Sequence, residues 1–453
     1  MKVSAREAAE AWGIAPPAGG SFSGVAVDSR KVEPGNLFVA LPGARADGHD
    51  FVAEAARRGA AAALVARVPA GIPEGFPLFV VPDPLAALQS LAARKRAEQG
   101  FRLAAVTGSV GKTTTKEMAA AIVGRKLRTG KTPGNANSGI GFPMAMLGLP
   151  EGLDAVCGEF GMSTPGEISR LSRLFRPDVA AITVVAAAHA QNFASVDEIA
   201  DAKWEITEGL SAAGTLVWNA ADPRLAARAA RWTGNRVSFG PEGADVTASE
   251  TSSAGLAGSE FTIRMRGEKA RVRLPVPGLH QVANCLCAAA VALVWGLGPA
   301  DVSAAMARFV PPERRGGAYR HVSGAEIVDD SYNASPHAMR SAVETLSAVA
   351  APGHRIAVLG EMRELGPEGP RWHREVGEYA ATRVDRLVCV GPLARPIGEG
   401  AEAAGLSADR IVLLDRAEDV APLLAPGLVP GDVVWIKGSR GVRLDVAADA
   451  LRG

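Results

Sequence analysis

Leu103-Ala-Ala-Val-Thr-Gly-Ser-Val-Gly-Lys-Thr-Thr-Thr-Lys116 is the stretch on which the fold turns. An apolar run gives way to Gly108 and Gly111, then to Lys112 and Thr113, then to residues able to continue as a helix. Strand, glycine-rich loop and helix in that order make a phosphate-binding loop, where backbone N–H groups and the positive end of the helix dipole face phosphate oxygens. Gly108, Ser109, Val110, Gly111, Lys112, Thr113 and Thr114 would surround the phosphates. Lys112 would reach the β- and γ-phosphates, and the Thr113 hydroxyl would hold Mg²⁺. Val106 stands where the strict pattern has its first glycine. Gly-Lys-Thr after an apolar run also arises by chance, but the flanking strand and helix favour nucleotide binding.

Outward from this loop the chain reads as α/β. Ala155–Cys157, Val179–Ile182 and Thr215–Trp218 are strand-like and alternate with helical patterns, as in a parallel sheet. Glu260–Arg266 and Lys269–Leu274 alternate with period two around Gly267, which predicts an antiparallel hairpin. A length of 453 residues suggests about three domains. We place a small N-terminal α/β domain over 1–95, a central phosphate-loop domain with a parallel sheet over 96–312, and a C-terminal Rossmann-like domain over 313–453. The last follows a linker, Pro311-Pro-Glu-Arg-Arg-Gly-Gly317, and carries a second βα series without a G-x-G-x-x-G turn.

With 49 basic and 48 acidic residues, the chain has a net charge of +1, which calls for neither nucleic acid nor an anionic membrane as partner. It shows neither a signal-peptide pattern nor an apolar run of bilayer length. The four cysteines are Cys157, Cys285, Cys287 and Cys389, and they read as structural thiols of a reduced, cytoplasmic protein.

Four clusters outside the loop can carry chemistry. Glu159 ends a strand, where a phosphate-loop enzyme needs a second Mg²⁺ contact; the alternative is a solvated acid or a cap. His189 follows the next apolar run, and Lys203 lies on a helix beyond it, where a lysine is ordinarily a surface cation. Asn284 near the start of a helix can read a base edge or simply cap. Asp329-Asp-Ser-Tyr-Asn-Ala-Ser-Pro336 ends a strand in two acids and opens a loop in which Tyr332 can stack on a base or pack locally.

Together with Val27-Asp-Ser-Arg30, Asp47-Gly-His-Asp-Phe51, Gly134-Asn-Ala-Asn-Ser-Gly-Ile-Gly-Phe-Pro143, Gly360-Glu-Met362 and Lys437-Gly-Ser-Arg440, these motifs resemble the ATP-dependent Mur ligases of peptidoglycan synthesis along the whole chain. The resemblance implies a cytoplasmic monomer that uses ATP and Mg²⁺ to join UDP-N-acetylmuramoyl-tripeptide to D-alanyl-D-alanine through an acyl phosphate. It implies that Lys112 and Thr113 serve ATP and one Mg²⁺, which Glu159 completes, and that His189 and a carbamylated Lys203 hold a second. It gives Asn284 to adenine, and Arg315, Asp330 and Tyr332 to closure of the nucleotide site. Asp28, Ser29 and Arg30 go to the uridine nucleotide, Asn135 and Asn137 to the muramyl-peptide end, and Asn333 and Arg440 to the acceptor. Val110, Ser335 and Ala186–Ala188 depart from the family's usual residues. A folylpolyglutamate synthase, the nearest rival, lacks a counterpart to Asp28-Ser-Arg30; a phosphate-loop switch without ligase chemistry is the rival from another class.

Overall fold

The computed structural model describes residues 1–17, 20–43, 46–187 and 190–452. The chain packs as two compact units, Met1–Ala105 with Lys126–Ala180 and Glu205–Gly214, and Val106–Arg125 with Ala181–Trp204 and Thr215–Gly453.

In the first unit the strands Val25–Ala26, Leu37–Val39, Ala62–Val65 and Leu78–Val80 form a parallel sheet in chain order. Ala26, Phe38, Ala63 and Val65 pack against Val52 and Ala55 of the helix Val52–Arg57. That helix starts only at Val52, because Gly48–Phe51 winds as a 3₁₀ turn capped by Asp47. The helix Pro84–Gln99 begins with Asp83 as cap and Pro84 at its first position, and ends at left-handed Gly100. The strand Ala155–Glu159 is buried throughout and pairs in parallel with Thr129–Lys131.

The second unit holds the phosphate loop. The strands Thr215–Asn219, Asn235–Gly240 and Val246–Ser253 run parallel to one another. Ser259–Met265 and Glu268–Leu274 then pair antiparallel, with Met265 opposite Glu268, so the hairpin turns on Arg266 and Gly267, both left-handed.

The rest of this unit is a six-stranded sheet in the order Gly317–Arg320, Glu326–Asp330, Val433–Lys437, Arg355–Gly360, Arg386–Val390, Ile411–Leu414. Its first strand is antiparallel and the others are parallel. The helices Pro336–Ala348, Gly369–Ala380 and Arg395–Ala403 supply Met339, Val376 and Ile397 to the core on one face. Val420–Leu424 and Leu444–Arg452 supply Leu424, Leu444 and Ala447 to the other. Both faces are covered, so ligands can approach at the carboxyl ends of the strands. Ser335 accepts from Ala338 N–H at 3.4 Å and Pro336 opens the helix. This departure from the family pattern therefore still supplies a cap.

Candidate active site

The loop is shaped by glycines that must be glycines. Gly108 and Gly111 have φ of 149° and 83°, where side chains are strained. A Cβ on Gly108 would collide with Thr183 Oγ1, and one on Gly111 with Asn284 Oδ1. Lys112 opens the helix Lys112–Val123, and its Nζ donates to Gly108 O at 2.8 Å, folding the ammonium over the loop. Thr113 and Thr114 are buried at the first turn.

A second segment braces the loop. Thr183 Oγ1 donates to Val110 O at 2.6 Å. Ser109 N–H donates to Val184 O at 2.7 Å, while its hydroxyl donates to Ala186 O at 2.7 Å and accepts from Ala186 N–H at 2.9 Å. Asn219 Nδ2 fixes Thr183 O at 3.0 Å. Neither Thr183 nor Asn219 stands out in the sequence. The available signal was a polar residue at the carboxyl end of an apolar strand, the position where such sheets present side chains to ligands. His189, a few residues further on, lies outside the described residues.

Lys203 is only 2% exposed, which overturns its reading as a surface cation. Burial first, and the charge of Lys112 second, push its ammonium well below the usual lysine range. As an ammonium it would repel a cation, and as a neutral amine it offers Mg²⁺ only a soft nitrogen. As a carbamate it would present two hard oxygens beside the loop, so this residue suits Mg²⁺ in that modified form. Among the described residues, no cluster of three His, Cys, Asp or Glu side chains makes a metal site.

Asn284 packs against the phosphate loop from the helix His280–Val294. Its Oδ1 accepts from Thr115 Oγ1 at 3.5 Å and its Nδ2 donates to Gln281 Oε1 at 2.7 Å. One N–H of the amide remains for a ligand. In the first unit Glu159 is 2% exposed and accepts from Asn137 Nδ2 at 2.7 Å, so Asn137 orients that carboxylate; Asn135 is exposed. Asp28 caps its own turn and pairs with Arg30 at 2.8 Å, an interaction that pulls its carboxyl down to about 2. Ser29 Oγ turns inward to Glu54 at 3.0 Å, leaving Arg30 exposed.

At the carboxyl edge of the six-stranded sheet, Arg315 stacks 4.0 Å from the centre of the Tyr332 ring, and Arg440 approaches the same ring at 5.6 Å. Asp330 is paired with Lys437 at 2.7 Å, a partner 107 residues away; Asn333 is exposed. Arg315, Asp330, Tyr332 and Arg440 are thus brought together. A cavity of about 260 Å³ elsewhere in this unit is lined by His337, Arg340, Tyr379 and, among others, Gly278 to His280, which lead into the helix that carries Asn284. Among the described residues, no helix is long and apolar enough to cross a membrane.

Family models described as Mur ligase family, catalytic domain, Mur ligase middle domain, and Mur ligase, glutamate ligase domain match residues 21–96, 106–292 and 314–440. The UDP-N-acetylmuramoyl-tripeptide–D-alanyl-D-alanine ligase of Bacillus subtilis is 36% identical over 93% of this chain and 91% of its own length. The ligase of that name from Escherichia coli is 36% identical over 95% and 94%. Crystalline MurF from Acinetobacter baumannii superposes with a TM-score of 0.88 at 30% identity, covering 100% of this chain and 99% of its own. The MurF ligase of Thermotoga maritima in complex with ADP gives 0.81 at 30% identity, with 95% and 97% covered. A folylpolyglutamate synthase from Mycobacterium tuberculosis, at 0.62 and 17% identity over 82% and 94%, shares the fold alone. The chain, from its first strands to the six-stranded sheet, belongs to the Mur ligase family.

Proposed function

We propose that the protein joins D-alanyl-D-alanine to UDP-N-acetylmuramoyl-tripeptide at the expense of ATP, in the making of peptidoglycan precursors. One observation carries this reading: a chain matched over 93% of its length by the Bacillus subtilis ligase holds a glycine-shaped phosphate loop and a buried lysine in one compact unit. The tripeptide carboxylate takes the γ-phosphoryl group to give an acyl phosphate and ADP. The dipeptide amine then attacks the carbonyl, phosphate leaves, and an amide remains.

In this scheme residues 1–95 bind the uridine nucleotide through Asp28, Ser29 and Arg30, 96–312 bind ATP, and 313–453 bring the acceptor and close on the nucleotide. Gly108 to Thr114 cradle the phosphates, and Lys112 leaves Gly108 O to meet the charge that grows on the transferred group. Asn284 offers its remaining N–H to adenine. Arg315, Asp330 and Tyr332 form the face that covers the nucleotide. Mg²⁺, when bound, neutralises phosphate oxygens. Thr113 and the Asn137-oriented Glu159 are assigned to one such ion by the family resemblance, and His189 with carbamylated Lys203 to another. Asn135, Asn333 and Arg440 are assigned to the peptide substrates on the same ground. The resemblance also carries a monomer at work in the cytoplasm, a compartment that suits four cysteines outside any disulfide.

The test is phosphate release with each substrate omitted in turn. Release should require ATP, the muramyl tripeptide and D-alanyl-D-alanine together, with a peptide-bonded product by mass spectrometry. Hydrolysis that ignores both peptides would instead mark a nucleotide switch.

A further inference from the structure

We propose that Glu361 is a positioning residue for the acceptor dipeptide, a buried carboxylate that fastens three loops at the ligand-binding edge of the six-stranded sheet into one surface. The inference rests on the acceptor-binding role given above to residues 313–453.

Glu361 directly follows the strand Arg355–Gly360 and is 4% exposed. Its Oε1 accepts from Leu393 N–H at 3.2 Å, in the loop after Arg386–Val390. Its Oε2 accepts from Arg363 Nε at 3.0 Å. Its backbone O accepts from Ser439 N–H at 2.9 Å, in the loop after Val433–Lys437, and Ser439 Oγ in turn accepts from Arg363 N–H at 2.9 Å. Two glycines make room for the pair. Gly391, with φ of 98°, would place a Cβ 2.7 Å from Glu361 Cγ, and a Cβ on Gly441 would collide with the Arg363 guanidinium. Arg363 thereby lies against the backbone of the residue that follows Arg440.

The far end of the same turn is also anchored. Gln191 N–H donates to Glu364 O at 3.2 Å, with Glu364 at φ of 65°, and a Cβ on Gly366 would come within 3.1 Å of Gln191 Cα. The turn 361–366 therefore joins the acceptor-side loops to the segment that follows His189.

The sheet does not need this carboxylate to stay together, because parallel ladders already join Arg355–Gly360 to both neighbouring strands. Arg363 is half exposed, so its pair with the buried carboxylate adds little stability, and what the contacts of Glu361 fix is a geometry. Here the geometry specified is that of Ser439 and Arg440 relative to the turn 361–366.

The experiment is steady-state kinetics of Glu361→Gln and Ser439→Ala with each substrate varied, beside thermal melts. Glu361→Gln keeps the volume and removes the charge that holds Arg363. KM for D-alanyl-D-alanine should rise ~10-fold, as expected for loss of one charged hydrogen bond, with KM for ATP and the muramyl tripeptide within ~2-fold. Ser439→Ala should move the same constant in the same direction by less. Arg363→Gln in the Glu361→Gln background should add little, since both act through one contact. An unchanged dipeptide KM in folded Glu361→Gln, or an equal rise for all three substrates, overturns the proposal. Should Glu361→Gln not fold, an unchanged dipeptide KM in Ser439→Ala overturns it. An unmodified enzyme that makes no product from the dipeptide overturns the functional reading as well, and so is told apart from failure of this inference alone.

Discussion

The phosphate loop and the carboxyl edge of the six-stranded sheet hold their shapes in opposite ways. The loop is fixed by neutral means: two glycines that no side chain could replace, and hydroxyls of Ser109 and Thr183 bonded to backbone carbonyls. Its one prominent charge, on Lys112, is parked on a carbonyl. The carboxyl edge is fixed by charges: Asp330 pairs with Lys437, 107 residues on, and Glu361 with its near neighbour Arg363, whose N–H reaches Ser439, 76 residues on. Under the function proposed above, a site for one invariant group, a triphosphate, is built into backbone, whereas a site for a particular acceptor is built from side chains that can be exchanged without reshaping the sheet.

Breaking the phosphate side should be the costlier. Lys112→Ala should fold normally and lose ADP formation by ~10³-fold or more, because the missing cation faces the transferring phosphoryl group. Near-normal turnover in a folded variant would remove the loop from the chemistry. Lys203→Ala should lower turnover on the order of 10²-fold, and a short carboxylic acid in the buffer should restore part of it by standing in for the carbamate oxygens. Absence of rescue, with a mass that shows an unmodified lysine in active enzyme, would refute carbamylation.

On the acceptor side the effects should fall on one substrate. Arg440→Ala should raise KM for D-alanyl-D-alanine about tenfold and KM for ATP much less, through loss of a bidentate contact to the free carboxylate. Because Arg440 also approaches Tyr332, a rise confined to ATP would move it to the nucleotide face. The smallest effect should come from a charge outside both regions. Glu7 accepts from Ser4 N–H at 2.7 Å and meets Lys95 at 3.3 Å, and the Ser4 bond leads the causes that bring its carboxyl down to about 2. Glu7→Ala should cost about 1 kcal/mol at neutral pH, the size of a capping interaction on a partly exposed helix end. A carboxyl lowered by folding stabilises above its unfolded value, so the difference between variant and parent should shrink as pH falls from 4.5 toward about 2. Equal melting differences at pH 7 and pH 2 would contradict this.

What could be read from the sequence follows the same division. The loop, the hairpin about Gly267 and the strands of the last sheet were legible because each is local: glycine spacing, period two, apolar runs between helices. Lys203 was not, since an alternating pattern on a short helix does not reveal that a lysine faces inward toward another lysine. The likeness to a family marked it; the residues themselves did not. Asn284 was placed on the correct helix, yet its contact with Gly111 depends on how that helix packs. The Asp330–Lys437 pair and the bond from Arg363 N–H to Ser439 need a strand order in which the last strand inserts between two earlier ones, and a linear reading does not supply that order. Local rules name the pieces, while long-range ion pairs record how they were assembled.

The cysteines offer a use that has nothing to do with ligation. None of the four is in a disulfide and all are buried, Cys157 in the first unit and Cys285, Cys287 and Cys389 in the second. Burial pushes the thiols of Cys285 and Cys389 up to about 12, far from the reactive thiolate. A thiol-reactive dye therefore has nothing to label until a unit opens, and peptide mapping of the labelled chain reports which one did. The native sequence is already a two-channel clock for partial unfolding, with no probe to engineer.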